Sequence, residues 1–273
     1  MVISQLRIKL RAQLKENPNE ADWIISHVTG LTQSDFILKN RTLTENETEQ
    51  IEKIVSRRNS GEPLQYILGE TEFMGLKFKV NPSTLIPRQD TELLVQTAID
   101  LTGNNKTTVL DIGTGSGCVG ISIAKLCKNS KVTLLDFSEN ALKTAKENAL
   151  DNKTECNCLL CDILKEIPQG KFDMIVSNPP YIETETVQSL DRTVKDFEPL
   201  TALDGGRDGL IFYRRISEIS KDILNNNGFI IFEIGYNQGI AVSDILKANG
   251  FKDVEVIKDF CDNDRVVKGR KTI

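Results

Sequence analysis

The chain is 273 residues long, with 39 acidic and 34 basic side chains, a net charge of −5 and a single histidine. That length holds one large domain and a smaller companion, and the acidic balance argues against a protein whose main task is gripping duplex DNA, because such proteins show a basic face or domain. No apolar run approaches the roughly 18 residues of a membrane span, and the lone His27 falls in an amphipathic stretch, which disfavours histidine-based acid–base chemistry.

Residues 1–70 read as a small helical bundle. Leu6, Leu10 and Leu14 recur at helical spacing, and Trp23, Ile24 and Val28 form a second apolar stripe. Ser34 to Leu38 opens a further helix. Thr44-Glu45-Asn46-Glu47 has the reciprocal capping pattern of a helix start, Ile51, Ile54 and Val55 supply that helix's apolar face, and Ser60-Gly61-Glu62-Pro63 ends it. The opening stretch mixes Leu and Ile with Arg7, Lys9 and Arg11 and lacks the continuous apolar core of a secretory signal, so cytoplasmic residence is the expectation.

Phe73 to Val80 changes character: two short strands around Gly75, then Asn81-Pro82, predict a hairpin within a linker spanning residues 71–90. From Thr107 onward, strand-like apolar runs alternate with amphipathic helical ones. The predicted strands are Val109–Ile112, Val132–Asp136, Cys158–Leu160, Phe172–Ser177, Phe229–Ile234, Val254–Ile257 and Arg265–Lys268. The predicted helices are Cys118–Lys128, Glu139–Leu150, Leu210–Leu224 and Ile240–Ala248. Such alternation implies an α/β domain over residues 91–273, a mostly parallel sheet with helices on both faces. Cys156, Cys158 and Cys161 superficially suggest a metal clip. No second pair stands at zinc-site spacing, and a strand sends residues 156 and 158 to one face and 161 to the other, so free thiols and no metal are expected.

Asp111-Ile112-Gly113-Thr114-Gly115-Ser116-Gly117 joins the first strand of that domain to its first helix, and glycines there let the backbone approach a ligand closely. The glycines run 113, 115, 117 and 120, which does not match the dinucleotide pattern G-x-G-x-x-G. Asp136 ends the next strand, where an acid can accept both hydroxyls of an adenosine ribose. Asp162 and Ile163 follow the third strand, where a carboxylate can accept from an adenine amine and an apolar side chain can pack on the ring. Singly, each acid also reads as a helix cap or loop residue. In order, at successive strand ends, they point to an adenosine-bearing cofactor.

Asn178-Pro179-Pro180-Tyr181 follows the strand Phe172–Ser177. Two prolines cannot continue a central strand, because neither has an N–H for the ladder, so the chain leaves the sheet rigidly at Asn178. An amide side chain, a free proline carbonyl and an aromatic ring then stand at the carboxyl end of a strand, where open α/β sheets bind ligands. These groups suit a planar –NH2, whose delocalised lone pair makes it a poor nucleophile. Asn178 Oδ1 and the Pro179 carbonyl can each accept one N–H, which fixes the nitrogen and raises its electron density, while Tyr181 stacks on the flat face. No dedicated base is required if the proton leaves after the transfer.

The glycine loop, Asp136 and the Asp162-Ile163 pair together resemble the class I S-adenosylmethionine-dependent methyltransferases, a Rossmann-like α/β fold with a seven-stranded, mostly parallel sheet. The resemblance implies that Gly113, Thr114, Gly115, Ser116 and Gly117 wrap the methionine part of S-adenosylmethionine. It implies that Asp136 holds the ribose, that Asp162 and Ile163 hold the adenine, and that Asp111 orients the loop or reaches the ammonium. Asn178 would border both cofactor and substrate, with S-adenosylhomocysteine as product.

Asn-Pro-Pro-Tyr is shared by nucleobase amino-methyltransferases and by glutamine-N5 methyltransferases acting on proteins. Gly61–Gly69, Thr84–Glu92, Phe197–Leu203 and Asp262–Arg265 resemble the peptide chain release factor N5-glutamine methyltransferases, with Gln89 where that family usually has proline and Asp264 where it usually has glutamate. The resemblance covers essentially the whole chain. It implies methylation of the glutamine amide in the Gly-Gly-Gln loop of a class I release factor, with Asn178, Pro179, Pro180 and Tyr181 as the catalytic and substrate-binding residues. Residues 1–70 would dock that protein partner, and Arg88 would either shape the pocket mouth or form a salt bridge. Neither a nucleic acid nor a membrane is an expected partner. Two rival substrates stay open: a ribosomal-protein glutamine, and a nucleobase, which would need a basic groove that the sequence does not display.

Overall fold

A computed structural model of the chain describes residues 1–14 and 17–272 and divides into two compact units. One is Met1–Gly69 with Arg192–Phe197, the other Glu70–Asp191 with Glu198–Ile273.

The first unit is helical: α1 (Ile3–Gln13), α2 (Glu20–Thr29), α3 (Gln33–Leu38), α4 (Glu45–Asn59) and α5 (Leu64–Leu68). Thr32 and Thr44 cap α3 and α4 reciprocally with Asp35 and Glu47, and the second of these boxes is the one legible in the sequence. Leu6, Leu10, Leu14, Ile24, Phe36, Ile51 and Val55 meet in one core. Trp23 does not join it. Ala21, Ile24 and Ile25 set the buried face of α2, and position 23 turns away from that face, leaving the indole half exposed. Buried Asp22 accepts from Arg7 at 2.6 and 2.7 Å and from Arg11 at 2.9 Å, pinning α2 to α1. Arg58 reaches Glu20 at 2.7 Å and pins α4 to α2.

The second unit opens with a hairpin, β1 (Glu70–Phe73) and β2 (Leu76–Lys79). Its strands start three residues earlier than the apolar pattern from Phe73 suggests. Met74 (φ 51°) and Gly75 (φ 70°) both take the left-handed conformation of the mirror-image turn that suits a twisted two-stranded ribbon.

Seven strands then form one sheet: β3 (Thr107–Ile112), β4 (Ser130–Asp136), β5 (Cys156–Leu160), β6 (Phe172–Ser177), β7 (Leu224–Glu233), β8 (Phe251–Lys258) and β9 (Asp264–Lys271). Their order is β5-β4-β3-β6-β7-β9-β8. The first five in that order run parallel, and β9 is antiparallel to both its neighbours. The sheet is packed by α6 (Glu92–Thr102), α7 (Cys118–Leu126), α8 (Glu139–Asp151), α9 (Ile211–Ile223) and α10 (Gly239–Ala248). Successive strand residues feed opposite cores: Val109, Leu134 and Met174 pack with α6 to α8, whereas Leu110, Leu135 and Ile175 pack with α9 and α10.

This is the seven-stranded, mostly parallel α/β sheet implied by the resemblance. The sequence reading leaves α6 unassigned, although Leu94, Val95 and Ala98 give it a buried stripe. The hairpin is docked on α8 by buried Asn148, whose Oδ1 accepts from Lys79 N at 2.7 Å and whose Nδ2 donates to the Lys79 carbonyl at 3.0 Å. The same Nδ2 donates to the Ser116 carbonyl at 2.8 Å, so one amide joins the hairpin to the glycine loop.

Candidate active site

The sheet order reverses between β3 and β6, and open α/β sheets bind ligands at the carboxyl ends of their strands at such a point. A cavity of about 310 Å³ lies there. Its wall includes the predicted loop from Asp111 to Ser116, but not Gly117, together with Asp136, Asp162, Ile163, Asn178, Pro179 and Pro180.

The glycine loop is held from beneath. Asp111 is buried at the end of β3, and its Oδ2 accepts from the Thr114 hydroxyl at 2.5 Å and from Gly120 N at 2.9 Å. Burial lifts its pKa to about 6 despite those two donors. That carboxylate therefore orients the loop and the first turn of α7. Gly117 has φ 84°, and a Cβ there would stand 2.6 Å from Ile121 Cδ1, so the entry into α7 requires glycine twice over.

Asp136 ends β4 with both oxygens turned toward backbone: Oδ2 accepts from Gly115 N and Oδ1 from Ser138 N, each at 2.9 Å. Burial raises its pKa, against the pull of those amides. Asp162 accepts from Leu164 N at 3.1 Å and pairs with Lys165 at 2.7 Å, which lowers its pKa. Ile163 is buried beside it on the cavity wall, and its carbonyl takes Arg215 Nε at 2.7 Å.

Asn178 follows β6 at the same end of the sheet. The Ser177 hydroxyl just before it donates to the Ile112 carbonyl at 2.7 Å. Asn178 Nδ2 donates to Thr91 Oγ1 at 3.2 Å. Among the described residues, no donor is directed at Asn178 Oδ1 or at the Pro179 carbonyl.

Tyr181 is placed differently from its neighbours in the tetrapeptide. It is not on the cavity wall. It packs against the apolar cluster that contains Tyr213, Phe232 and Ile234, and its carbonyl accepts from Gln238 Nε2 at 3.0 Å. Burial, with Glu233 nearby, pushes its phenol up to about 12.

Several residues of the site escape sequence reasoning. Ser83, Thr84, Leu85 and Phe137 line the cavity, as do Pro199 and Thr201. Arg88, expected either to shape the pocket mouth or to form a salt bridge, forms one with Glu198, whose side chain is buried and which the sequence does not single out. This pair ties the segment that carries Pro199 and Thr201 to the one that carries Thr84 and Leu85. Glu233 lies at the end of β7, is 2% exposed and faces Thr91 and Asn178. A signal for it was present, since it is the one charged side chain inside the apolar run from Phe229 to Ile234.

The cysteines are unpaired thiols whose pKa values burial raises at Cys118, Cys127, Cys156, Cys158 and Cys161. Among the described residues, no group of three or more His, Cys, Asp or Glu side chains is arranged to hold a metal ion.

Known proteins share both parts of this chain. Residues 2–69 match the model of the PrmC N-terminal domain, and residues 88–197 match that of the methyltransferase small domain. The release factor glutamine methyltransferase of Clostridium botulinum is 43% identical over 246 residues, spanning 88% of this chain and 85% of that relative. The release factor glutamine methyltransferase of Clostridium acetobutylicum is 40% identical over 279 residues, 98% of each chain. A solved methyltransferase structure from Pyrococcus furiosus shares the fold, with a TM-score of 0.56 at 19% identity over 84% of this chain and 100% of that one.

Proposed function

The chain belongs to the family of release factor glutamine methyltransferases, and from that membership we propose that its cavity brings the target amide to Asn178 beside S-adenosylmethionine. It is a protein-(glutamine-N5) methyltransferase acting on a release factor. The proposed target is the glutamine of the Gly-Gly-Gln loop of a class I release factor, and S-adenosylhomocysteine is the proposed second product.

The cavity's own residues fit the cofactor. Phe137 and Ile163 offer an apolar slot for a flat ring, with Asp136 and Asp162 as acceptors at its edge. The loop from Gly113 to Gly117 is the segment proposed to cradle the amino-acid end. S-adenosylmethionine supplies the electrophilic methyl group when bound.

The chain's task is to hold an amide nitrogen still. Asn178 Oδ1 and the Pro179 carbonyl, two acceptors with no donor among the described residues, are the observation that carries the reading. Each takes one N–H of the target amide, which fixes the nitrogen and places negative dipole where positive charge develops. Pro180 keeps the turn rigid. Tyr181 supports the turn through its packing; any stacking on the substrate would require the ring to leave its cluster. The helical unit is proposed to dock the protein partner. Among the described residues, no helix is long and apolar enough to cross a membrane, and residence in the cytoplasm is proposed from the substrate.

Labelled S-adenosylmethionine with three substrates tests this assignment. The release factor should take label, while its Gln→Ala variant and duplex DNA should not. Equal label on the variant, or label on DNA, would sink it. Label on a ribosomal-protein glutamine in preference to the release factor would favour the rival substrate.

A further inference from the structure

We propose that Glu233 is a positioning residue for methyl transfer: it fixes which way round the Asn178 amide sits, so that Oδ1 rather than Nδ2 faces the substrate. The inference rests on the assignment of Asn178 as the acceptor of the target N–H.

A primary amide offers an acceptor on one side and two donors on the other, and the two orientations have nearly the same shape. Turned the wrong way, Asn178 would present an –NH2 to the –NH2 it has to hold. Whatever lies behind the amide must therefore discriminate between its ends. The group immediately behind is Thr91, buried at 2% exposure, whose Oγ1 accepts from Asn178 Nδ2 at 3.2 Å. A hydroxyl alone cannot discriminate, because it can donate as readily as it accepts.

Glu233 breaks that symmetry. Strands β6 and β7 are parallel with Ser177 opposite Phe232, so the next residues on each, Asn178 and Glu233, fall at the same level. The Glu233 carboxylate lies close enough to the Thr91 hydroxyl and the Asn178 amide for both to lower its pKa, and its buried Oε2 has no hydrogen-bond partner among the described residues. An ionised carboxylate can only accept. In the proposed arrangement the Thr91 proton turns to that carboxylate, which leaves the Thr91 lone pairs for Asn178 Nδ2, the one bond of this relay already formed, so that donation runs one way from Asn178 through Thr91 to Glu233. A protonated carboxyl could donate to Thr91, and the chain would no longer have a fixed direction.

A buried carboxylate costs stability compared with an apolar side chain of similar size, so its presence on this strand calls for a task. The groups that face it set its charge near neutrality. Burial pushes it up to about 7 and Asp90 adds to this, while Thr91, Arg265 and Asn178 pull it down. The Tyr181 and Tyr213 phenols and the Cys118 thiol complete its ionisable surroundings, and all three have pKa values raised well above neutrality by burial. Glu233 is thus the group in this cluster that changes charge around pH 7.

The test is steady-state methylation of the release factor between pH 6 and 8.5 by wild type, Glu233→Gln, Thr91→Val and Thr91→Ser, with cofactor affinity measured in parallel. Wild-type kcat should rise through pH 7. Glu233→Gln should lose about tenfold in kcat at pH 8, as expected for a charge-assisted bond replaced by one that can point either way. It should also lose the titration near pH 7, while KM for the release factor and the cofactor Kd stay unchanged. Thr91→Val should fall similarly, and Thr91→Ser should restore the rate. A Glu233→Gln variant with wild-type kcat and pH profile overturns the proposal. If that variant does not fold, equal rates for Thr91→Val and Thr91→Ser overturn it instead. A wild-type enzyme that labels no release factor would sink the underlying assignment, a result distinct from either of these.

Discussion

The hydroxyl of Ser177 donates to the carbonyl of Ile112 at 2.7 Å, and both residues are buried. This bond ties the last residue of β6, which precedes the Asn178 turn, to the last residue of β3, which precedes the glycine loop. Two segments of the cavity wall are thus joined across neighbouring strands by a side chain as well as by the ladder. Ser177→Ala should cost about 1 kcal/mol of stability, the usual net worth of one such bond. Urea unfolding measures this, and an unchanged midpoint would show that the bond is dispensable.

Asn178→Ala removes one of the two acceptors that have no donor among the described residues, without touching the glycine loop. Cofactor affinity should hold within about twofold while kcat falls roughly a hundredfold or more, the range seen when one preorganised polar contact to developing charge is lost. Isothermal titration and single-turnover assays separate the two quantities. Undiminished turnover would remove Asn178 from the mechanism.

Gly117→Ala combines a left-handed backbone with a clash against Ile121 Cδ1 at 2.6 Å and a close approach to Ala145 Cβ at 3.1 Å. The loop and the start of α7 would have to shift. We expect a stability loss of about 1–3 kcal/mol and a cofactor Kd raised about tenfold or more. A variant with wild-type melting temperature and Kd would mean that the loop has slack the geometry does not reveal.

Asp111 carries a pH signature. Its folded pKa of about 6 lies above the ordinary 3.8. Between those values the folded chain keeps a proton that the unfolded chain has released. This group's contribution to stability therefore falls as pH rises from about 4 to about 6 and is constant above that, by an amount on the order of 3 kcal/mol. Asp111→Asn removes the titration. The melting-temperature difference, wild type minus variant, should shrink as pH rises from 4 to 6, and a difference independent of pH would contradict this.

Much of this was legible because the residues involved obey local rules. Phe172–Ser177 is a mostly apolar strand, with Asp173 near its start, stopped by prolines, and its observed bounds are those predicted. Thr44 and Glu47 announce their helix by a reciprocal cap. The loop around Gly117 follows from the conformation that glycine alone takes easily.

What local rules do not carry is the direction a side chain takes once the sheet closes. Tyr181 looks free in sequence, yet its ring has a cluster to pack against. Trp23 looks like core, but the buried face of α2 passes it by. Glu233 and Thr91 are 142 positions apart by their numbers and meet only because α6, which Thr91 precedes, packs on β7. No periodicity in the chain encodes that meeting.

The buried amide of Asn148 has a bearing on where a catalytic fragment can begin. Two of its three bonds go to Lys79 and the third to Ser116. A fragment trimmed past the hairpin would lose both bonds to Lys79, at about 0.5–1.5 kcal/mol each, and would loosen the loop that the third bond steadies. A fragment that keeps the glycine loop braced therefore includes the hairpin from Glu70: the ribbon that resembles a tether in the sequence is a strut of that loop.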